Sequence, residues 1–270
     1  MSGGTVDAFH RGTFVVVQPE KEGHRSGVDA MILAAAVPAG FDGAAADFGA
    51  GAGAAGMAVA ARCPQARVTM VENDPVMADF ARRTVGHERN AAFSSRLSVL
   101  EADVSLSGKS RVDSGLCDRS FDFVLMNPPF NSPRDRATPD ALKAAAHVMA
   151  DGMFEAWLRT AAAVLRPGGG VAVIARPASL KEILIACEGR FGALRILPIL
   201  PRPADAAIRV LVTGVRGSRA GLSLEPPLVL HGETGNGFSA RAGAVINGEA
   251  GAFDFSFGGF TVRDSSAAAR

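Results

Sequence analysis

The run Asp47-Phe48-Gly49-Ala50-Gly51-Ala52-Gly53-Ala54-Ala55-Gly56 decides the fold. Ala44 to Phe48, leading into it, reads as a buried strand, and Ala54 to Arg62, leaving it, is helical in composition and stops ahead of Pro64. A strand that breaks into a glycine turn and then a helix lets a ligand approach backbone N–H groups closely. Two patterns overlap here. Gly51 to Gly56 spells the G-x-G-x-x-G dinucleotide fingerprint, with Glu72 about 20 residues beyond it, where a ribose-binding acid belongs. The same residues also spell D-x-G-x-G-x-G, in which Asp47 would repel a pyrophosphate laid over the turn and favour a cation. The run would also serve simple close packing of helix on strand.

The flanking chain repeats the strand–helix alternation. Phe14 to Val17 reads as a strand and Val28 to Val37 as a helix stopped by Pro38. Ala66 to Glu72 alternates as a strand, and Asp74-Pro75 opens a helix, since Asp caps and Pro suits the first turn. Leu97 to Glu101 and Phe121 to Met126 are further strands. Met153 to Leu165 is an amphipathic helix ended by Pro167-Gly168-Gly169-Gly170, with a strand at Val171 to Ala175. Leu180 to Ala186 looks helical. Leu194 to Leu200 and Ile208 to Thr213 look like closing strands, and Leu222 to Leu230 an edge segment interrupted by Pro226-Pro227. This spacing implies parallel pairing in a doubly wound α/β sheet. Residues 1–43 read as an N-terminal extension, 44–231 as the core, and the Gly/Ser/Ala-rich 232–270 as a loosely ordered tail.

The chain has 270 residues, 48% of them hydrophobic, with 28 basic against 27 acidic side chains. That balance excludes a polybasic nucleic-acid-coating protein and an acidic disordered one. Cys63, Cys117 and Cys187 form no CxxC pair, so neither a disulfide framework nor a metal site is expected. No apolar stretch is long enough for a spanning helix and the start has no signal-peptide pattern, so a cytoplasmic enzyme is expected.

S-adenosylmethionine carries an ammonium and a sulfonium but no phosphate, and the charge of Asp47 favours it over a dinucleotide. Asp103, after the third core strand, can accept a hydrogen bond from an adenine amine at the sheet's C-terminal edge. Asn127-Pro128-Pro129-Phe130 closes the fourth. Its prolines fix the backbone, so the Pro128 carbonyl and the Asn127 amide oxygen can both accept from one amine. An amine conjugated to a ring is a poor nucleophile. Two acceptors on its hydrogens favour pyramidal geometry and stabilise the positive charge that develops in methyl transfer. Phe130 can stack on the planar group, contributing about 1–3 kcal/mol for a base. No general base is needed, because the proton can leave after transfer.

With Asn127 to Phe130 in this position, the chain resembles the class I methyltransferases that use S-adenosylmethionine. It is most similar to the bacterial tRNA (adenine-N6) methyltransferase family acting next to the anticodon of a valine tRNA. Gln18-Pro19, Gly27-Val-Asp29, Asp47 to Gly53, Val71 to Pro75, Glu101-Ala-Asp103 and Leu165-Arg-Pro-Gly-Gly169 follow in that family's order. The resemblance covers about residues 9 to 231 and implies a Rossmann-like, seven-stranded, mostly parallel sheet with helices on both faces. It implies that Asp47, Gly49, Gly51 and Gly53 line the methionine end of the cofactor, Glu72 with Asn73 the ribose, and Asp103 with Val104 the adenine. Gly27 and Asp29 in the N-terminal extension would close over it, and Asn127, Pro128, Pro129 and Phe130 would position the target amine. Asn131 stands where the related rRNA guanine-N2 enzymes carry His, which weakens that branch.

Three functions follow, in order. The first is adenine-N6 methylation of tRNA or another structured RNA. The second is glutamine-N5 methylation of a protein, usually accompanied by Tyr after the prolines and a helical N-terminal domain that this chain lacks room for. The third is a nicotinamide-dependent oxidoreductase or a non-catalytic cofactor-binding module. Between Arg176 and Arg219 eight basic residues stand against three acidic ones, and Arg134, Arg136, Lys143 and His147 follow the motif, so both stretches are candidates for RNA contact.

Overall fold

The computed structural model describes residues 3–20, 27–129 and 152–253. Its centre is one mixed sheet built on β3 (Ala44–Phe48), β4 (Arg67–Glu72), β5 (Leu97–Glu101), β6 (Phe121–Met126), β7 (Leu165–Ala175), β8 (Phe191–Leu200) and β9 (Arg209–Arg216). The order across it is β5-β4-β3-β6-β7-β9-β8, with only β9 antiparallel to its neighbours. These are the seven strands the resemblance implies. Two short strands, β10 (Ser223–Leu224) and β11 (Leu228–Val229), add to β8 and bring the sheet to nine. Pro226 and Pro227 split what the sequence presents as one edge segment, since neither can donate to a ladder.

Helices cover both faces. On one lie α1 (Val28–Ala34), α2 (Ala54–Arg62) and α3 (Pro75–Val85); the short α4 (Ala91–Ser94) leads into β5. On the other lie α6 (Met153–Val164) and α7 (Leu180–Cys187), with α5 (Gly108–Asp113) in the crossover before β6. The central strands β3 and β6 are buried along nearly their whole length, as a parallel sheet covered on both sides requires. The alanines of β3 and α2 bring helix and strand close. A Cβ on Gly56 would stand 3.0 Å from the Met70 side chain of β4.

The strand after α6 begins earlier than the sequence pattern suggests. Leu165 already pairs with Phe121, and the Arg-Pro-Gly-Gly-Gly run belongs to β7. Gly170 is needed there because a Cβ would come within 2.6 Å of the Phe123 ring. Near the N-terminus, β1 (Gly4–Phe9) and β2 (Phe14–Pro19) form a hairpin packed beside α3, of which the sequence reading found only the second strand. The outer edge of β2 is completed by side chains. Val15 N–H donates to Asn90 Oδ1 (3.0 Å), Asn90 Nδ2 donates to Val15 O (2.7 Å), and Val17 N–H donates to Thr84 Oγ1 (2.9 Å).

The tail reading is corrected for its first part. Residues 240–246 form α8 (Ala240–Ile246), capped by Ser239 Oγ on the N–H of Ala242, and its Ala242 and Val245 are fully buried beside α1. Burying such a valine contributes about 1.5–3 kcal/mol. Beyond α8, Gly248 lies against the His10 ring, so that a Cβ there would be 2.7 Å from it, and Arg11 pairs with Glu249 at 3.1 Å. Arg62, ending α2, donates to Ala34 O and Val37 O at 2.8 and 3.1 Å. The hairpin turn, α1, α2 and the post-α8 loop therefore meet at the end of the sheet opposite the strand C-termini.

Candidate functional site

The parallel register brings four sequence-predicted residues to one edge. Asp47 lies in β3, Glu72 ends β4, Asp103 follows β5 and Asn127 follows β6, and these four strands are adjacent. This is the C-terminal edge, where open α/β sheets bind ligands.

Between β3 and α2 the chain turns through left-handed conformations at Gly49 (φ 67°), Gly51 (φ 56°) and Gly53 (φ 90°). Side chains rarely adopt these angles, so the spacing of the three glycines is a backbone requirement. Asp47 is 2% exposed, and its Oδ2 accepts the N–H of Gly56 at 2.8 Å. That donor lies in the first turn of α2 and has no partner within the helix. Burial, reinforced by the nearby Glu72 charge, pushes the Asp47 carboxyl up to about 7, although the Gly56 hydrogen bond pulls the other way. Glu72 is also buried, and its carboxylate gathers three backbone donors: Gly51 N–H on Oε2 at 2.8 Å, and Asn73 and Asp74 N–H on Oε1 at 2.9 Å each. Asn73 itself is exposed.

Asp103 is partly buried and accepts the N–H of Ser105 at 2.7 Å, an Asx turn that fixes the loop after β5; Val104 beside it is buried. Helix α6 holds this loop: Arg159 Nη2 donates to Ser105 O and Thr160 Oγ1 to Leu106 O, both at 3.1 Å. The same helix carries Trp157, whose ring edge stands where a side chain on Gly49 would be. Sequence reasoning missed Trp157, because its partner is a residue with no side chain to pattern against.

At the end of β6, Asn127 Oδ1 is buried and has no hydrogen-bond partner among the described residues. Pro128 is buried and Pro129 partly so, while Phe130 and the basic residues at 134, 136, 143 and 147 lie outside the described residues. Gly27 is exposed with an extended backbone, and a Cβ on it would meet nothing within 4 Å, so no steric need for glycine is seen there. Asp29 pairs with Arg209 Nε at 2.9 Å, at the start of β9 on the same sheet edge.

The basic stretch after Arg176 is largely committed to structure. Arg190 pairs with Glu155, Arg195 with Glu225 and Arg209 with Asp29, all acids outside the counted stretch. Arg202 donates to Gly232 O and Gly235 O at 2.7 and 2.8 Å. The excess seen in the sequence is not one basic surface.

A seven-strand order with one antiparallel member, a glycine turn after its first strand and acids at the ends of the next strands define a class I methyltransferase, dependent on S-adenosylmethionine. The model of the methyltransferase small domain family matches residues 25–197, and the chain belongs to that family. A Porphyromonas gingivalis relative named tRNA1(Val) (adenine(37)-N6)-methyltransferase is 31% identical over 204 residues, 68% of this chain and 76% of the relative. A solved structure described as a predicted O-methyltransferase from Agrobacterium tumefaciens is 45% identical, with a TM-score of 0.73 over 83% of this chain and 97% of that one. A 16S rRNA methyltransferase of T. thermophilus, solved with AdoMet and guanosine, shares the fold at a TM-score of 0.52 and 23% identity, over 79% of this chain and 50% of its own. Among the described residues no helix is long and apolar enough to cross a membrane.

Proposed function

We propose that the chain transfers a methyl group from S-adenosylmethionine to the exocyclic N6 amine of an adenine in tRNA. The observation that carries this reading is Asn127 Oδ1, a buried acceptor on the same edge as the three acids, without a partner among the described residues. Leaving such an atom unsatisfied costs about 1–3 kcal/mol, which a donor from the substrate would recover. A primary amine is that donor. An amide oxygen is no base, so it suits an acceptor whose proton can leave late better than a hydroxyl that must be deprotonated. The name of the Porphyromonas relative supports adenine in tRNA as the bearer of the amine, and a cytoplasmic location follows from such a substrate.

The cradle fits the cofactor. Its backbone is bare at Gly51, where a Cβ would meet only the Met77 methyl at 3.7 Å, and Asp47 and Glu72 are buried acids that suit a ligand with an ammonium and sugar hydroxyls. They disfavour the pyrophosphate of a dinucleotide. Asp47, Gly49, Gly51 and Gly53 would hold the methionine end, Glu72 with Asn73 the ribose, and Asp103 with Val104 the adenine. Gly27 and Asp29 would close the edge over it. S-adenosylmethionine supplies, when bound, an electrophilic methyl group on a sulfonium. Asn127 and the Pro128 carbonyl would hold the amine hydrogens and stabilise the charge growing on nitrogen, Pro129 would keep them rigid, and Phe130 would stack on the base. The amine's proton then departs to solvent.

Tritium transfer from labelled S-adenosylmethionine into tRNA lacking its native modification tests this, with Asn127→Ala as control. Ribonuclease-sensitive label recovered as N6-methyladenosine is the expected result. Label in protein, recovered as N5-methylglutamine, would replace the RNA substrate with the side-chain amide that the same acceptors suit. Label recovered on an oxygen would remove amine methylation altogether.

A further inference from the structure

We propose that Trp157 is a positioning residue that braces the methionine end of the cofactor cradle. The inference rests on the reading above that the glycine turn holds that end. A Cβ built on Gly49 would stand 2.6, 3.2 and 3.7 Å from Cη2, Cζ3 and Cζ2 of Trp157, so the indole's six-membered edge occupies the space a side chain would take. Gly49 therefore answers two demands at once: a left-handed backbone at φ 67° and a neighbour standing where a Cβ would be. The bulkiest side chain and the smallest residue form one complementary pair.

Trp157 is not the packing core of its helix. Phe154, Leu158 and Ala161 fill that role and are buried, whereas Trp157 is only partly so. What distinguishes it is position. Within little more than one turn of α6, Trp157 abuts the turn after β3, while Arg159 and Thr160 bond the carbonyls of Ser105 and Leu106 after β5. One rigid helix thus fixes two walls of the cradle relative to each other, across the intervening β4. The indole sets where Gly49 can sit, and with it where Gly51 presents its backbone.

A brace at the methionine end affects ligands that reach it and spares those that do not. Trp157→Ala is expected to weaken S-adenosylhomocysteine about 10-fold by calorimetry, while methylthioadenosine, which lacks the amino-acid carbons, stays within about 2-fold. Trp157→Phe should fall between. Equal weakening of both ligands would mean general loosening of the fold and would overturn the inference, as would no change in either. Gly49→Ala supplies a second variant: its loss of affinity should be smaller in the Trp157→Ala background than in the wild type, and simple additivity would count against the pair.

The wild-type protein gives a readout that needs no variant. The sequence contains one Trp and no Tyr, so emission excited at the indole band reports Trp157 alone. S-adenosylhomocysteine should shift that emission along the calorimetric binding curve. Stoichiometric binding with unchanged emission would overturn the brace and leave the cofactor assignment standing. Absence of calorimetric binding to the wild type would remove the cofactor assignment itself, and the brace with it.

Discussion

The ends of β4 and β6 face the same edge, yet they are finished differently. At β4, the carboxylate of Glu72 takes three backbone N–H groups, all supplied by its own turn and the glycine turn beside it. At β6, Asn127 has a buried oxygen that nothing in the described structure satisfies. One half of the site is complete before any ligand arrives; the other waits for a donor. On the function proposed above, the difference makes cofactor binding and substrate positioning separable, and substitutions should separate them. Asn127→Ala should lower turnover by ~10²-fold or more while S-adenosylhomocysteine affinity is nearly unchanged, because its hydrogen bond strengthens as charge develops. Full activity in that variant would take Asn127 out of the mechanism. Glu72→Ala should do the reverse, weakening S-adenosylhomocysteine about 10-fold or more with a smaller effect on turnover at saturation. Unchanged affinity, measured by calorimetry, would reduce Glu72 to a scaffold for the turn.

Most of the completed half could be read from the sequence. β3, α2, β5 and β6 fall on the residues the pattern marks; Gly49, Cys63-Pro64 and Asn127-Pro128 stop β3, α2 and β6 sharply, and burial makes β3 and β6 largely apolar. What escaped depends on partners far along the chain. β2 is completed by Asn90 and Thr84, which are 75 and 67 residues away from the groups they bond. The glycines at the start of β7 look like a turn until Phe123 is seen packed on Gly170. Ala242 and Val245 are too small and too few to announce a packed helix, and α1, distant in sequence, and β11, set on the sheet edge, give that helix something to bury against. The basic stretch misled for a related reason: its charges are cancelled by Glu155, Glu225 and Asp29, none of which a local count includes.

Asp47 carries the comparison into pH. Its folded carboxyl is raised by burial to about 7 from an ordinary value near 3.8. The folded state thus keeps a proton that the unfolded chain releases, and stability present below about pH 4 is lost as pH rises through about 7. Function runs against this, since an ammonium is best met by the ionised form. Asp47→Asn should therefore raise the melting temperature of the ligand-free protein at pH 8 and weaken S-adenosylhomocysteine there several-fold. A variant that gained no stability at pH 8 would show that Asp47 ionises without penalty.

The smallest effect is expected at the opposite end of the sheet, and its sign is reversed. His10 is buried and shares its surroundings with Arg62; neither its Nε2 nor the Nε of Arg62 has a hydrogen-bond partner among the described residues. Burial first, and the Arg62 charge second, lower its folded value to about 4 from 6.5. Here the unfolded chain takes up the proton first, so stability is lost as pH falls from about 6.5 toward 4. The charged neighbours do not rescue the protonated ring: Arg62 repels it, and Glu249 is already paired with Arg11. Between those values the two groups oppose each other, and the wild-type melting curve should be flatter with pH than either would make it alone. His10→Asn keeps a residue suited to the left-handed backbone at φ 47° but cannot titrate. Its melting temperature, compared at pH 5 and pH 7, should favour the acid side by a few degrees more than the wild type does, at roughly 2–4 °C per kcal/mol. Cofactor affinity should be unmoved at either pH. A variant with the wild-type pH slope would mean that the imidazole takes up its proton as readily in the folded protein as in the unfolded chain, and that His10 does not set the acid limit of the fold.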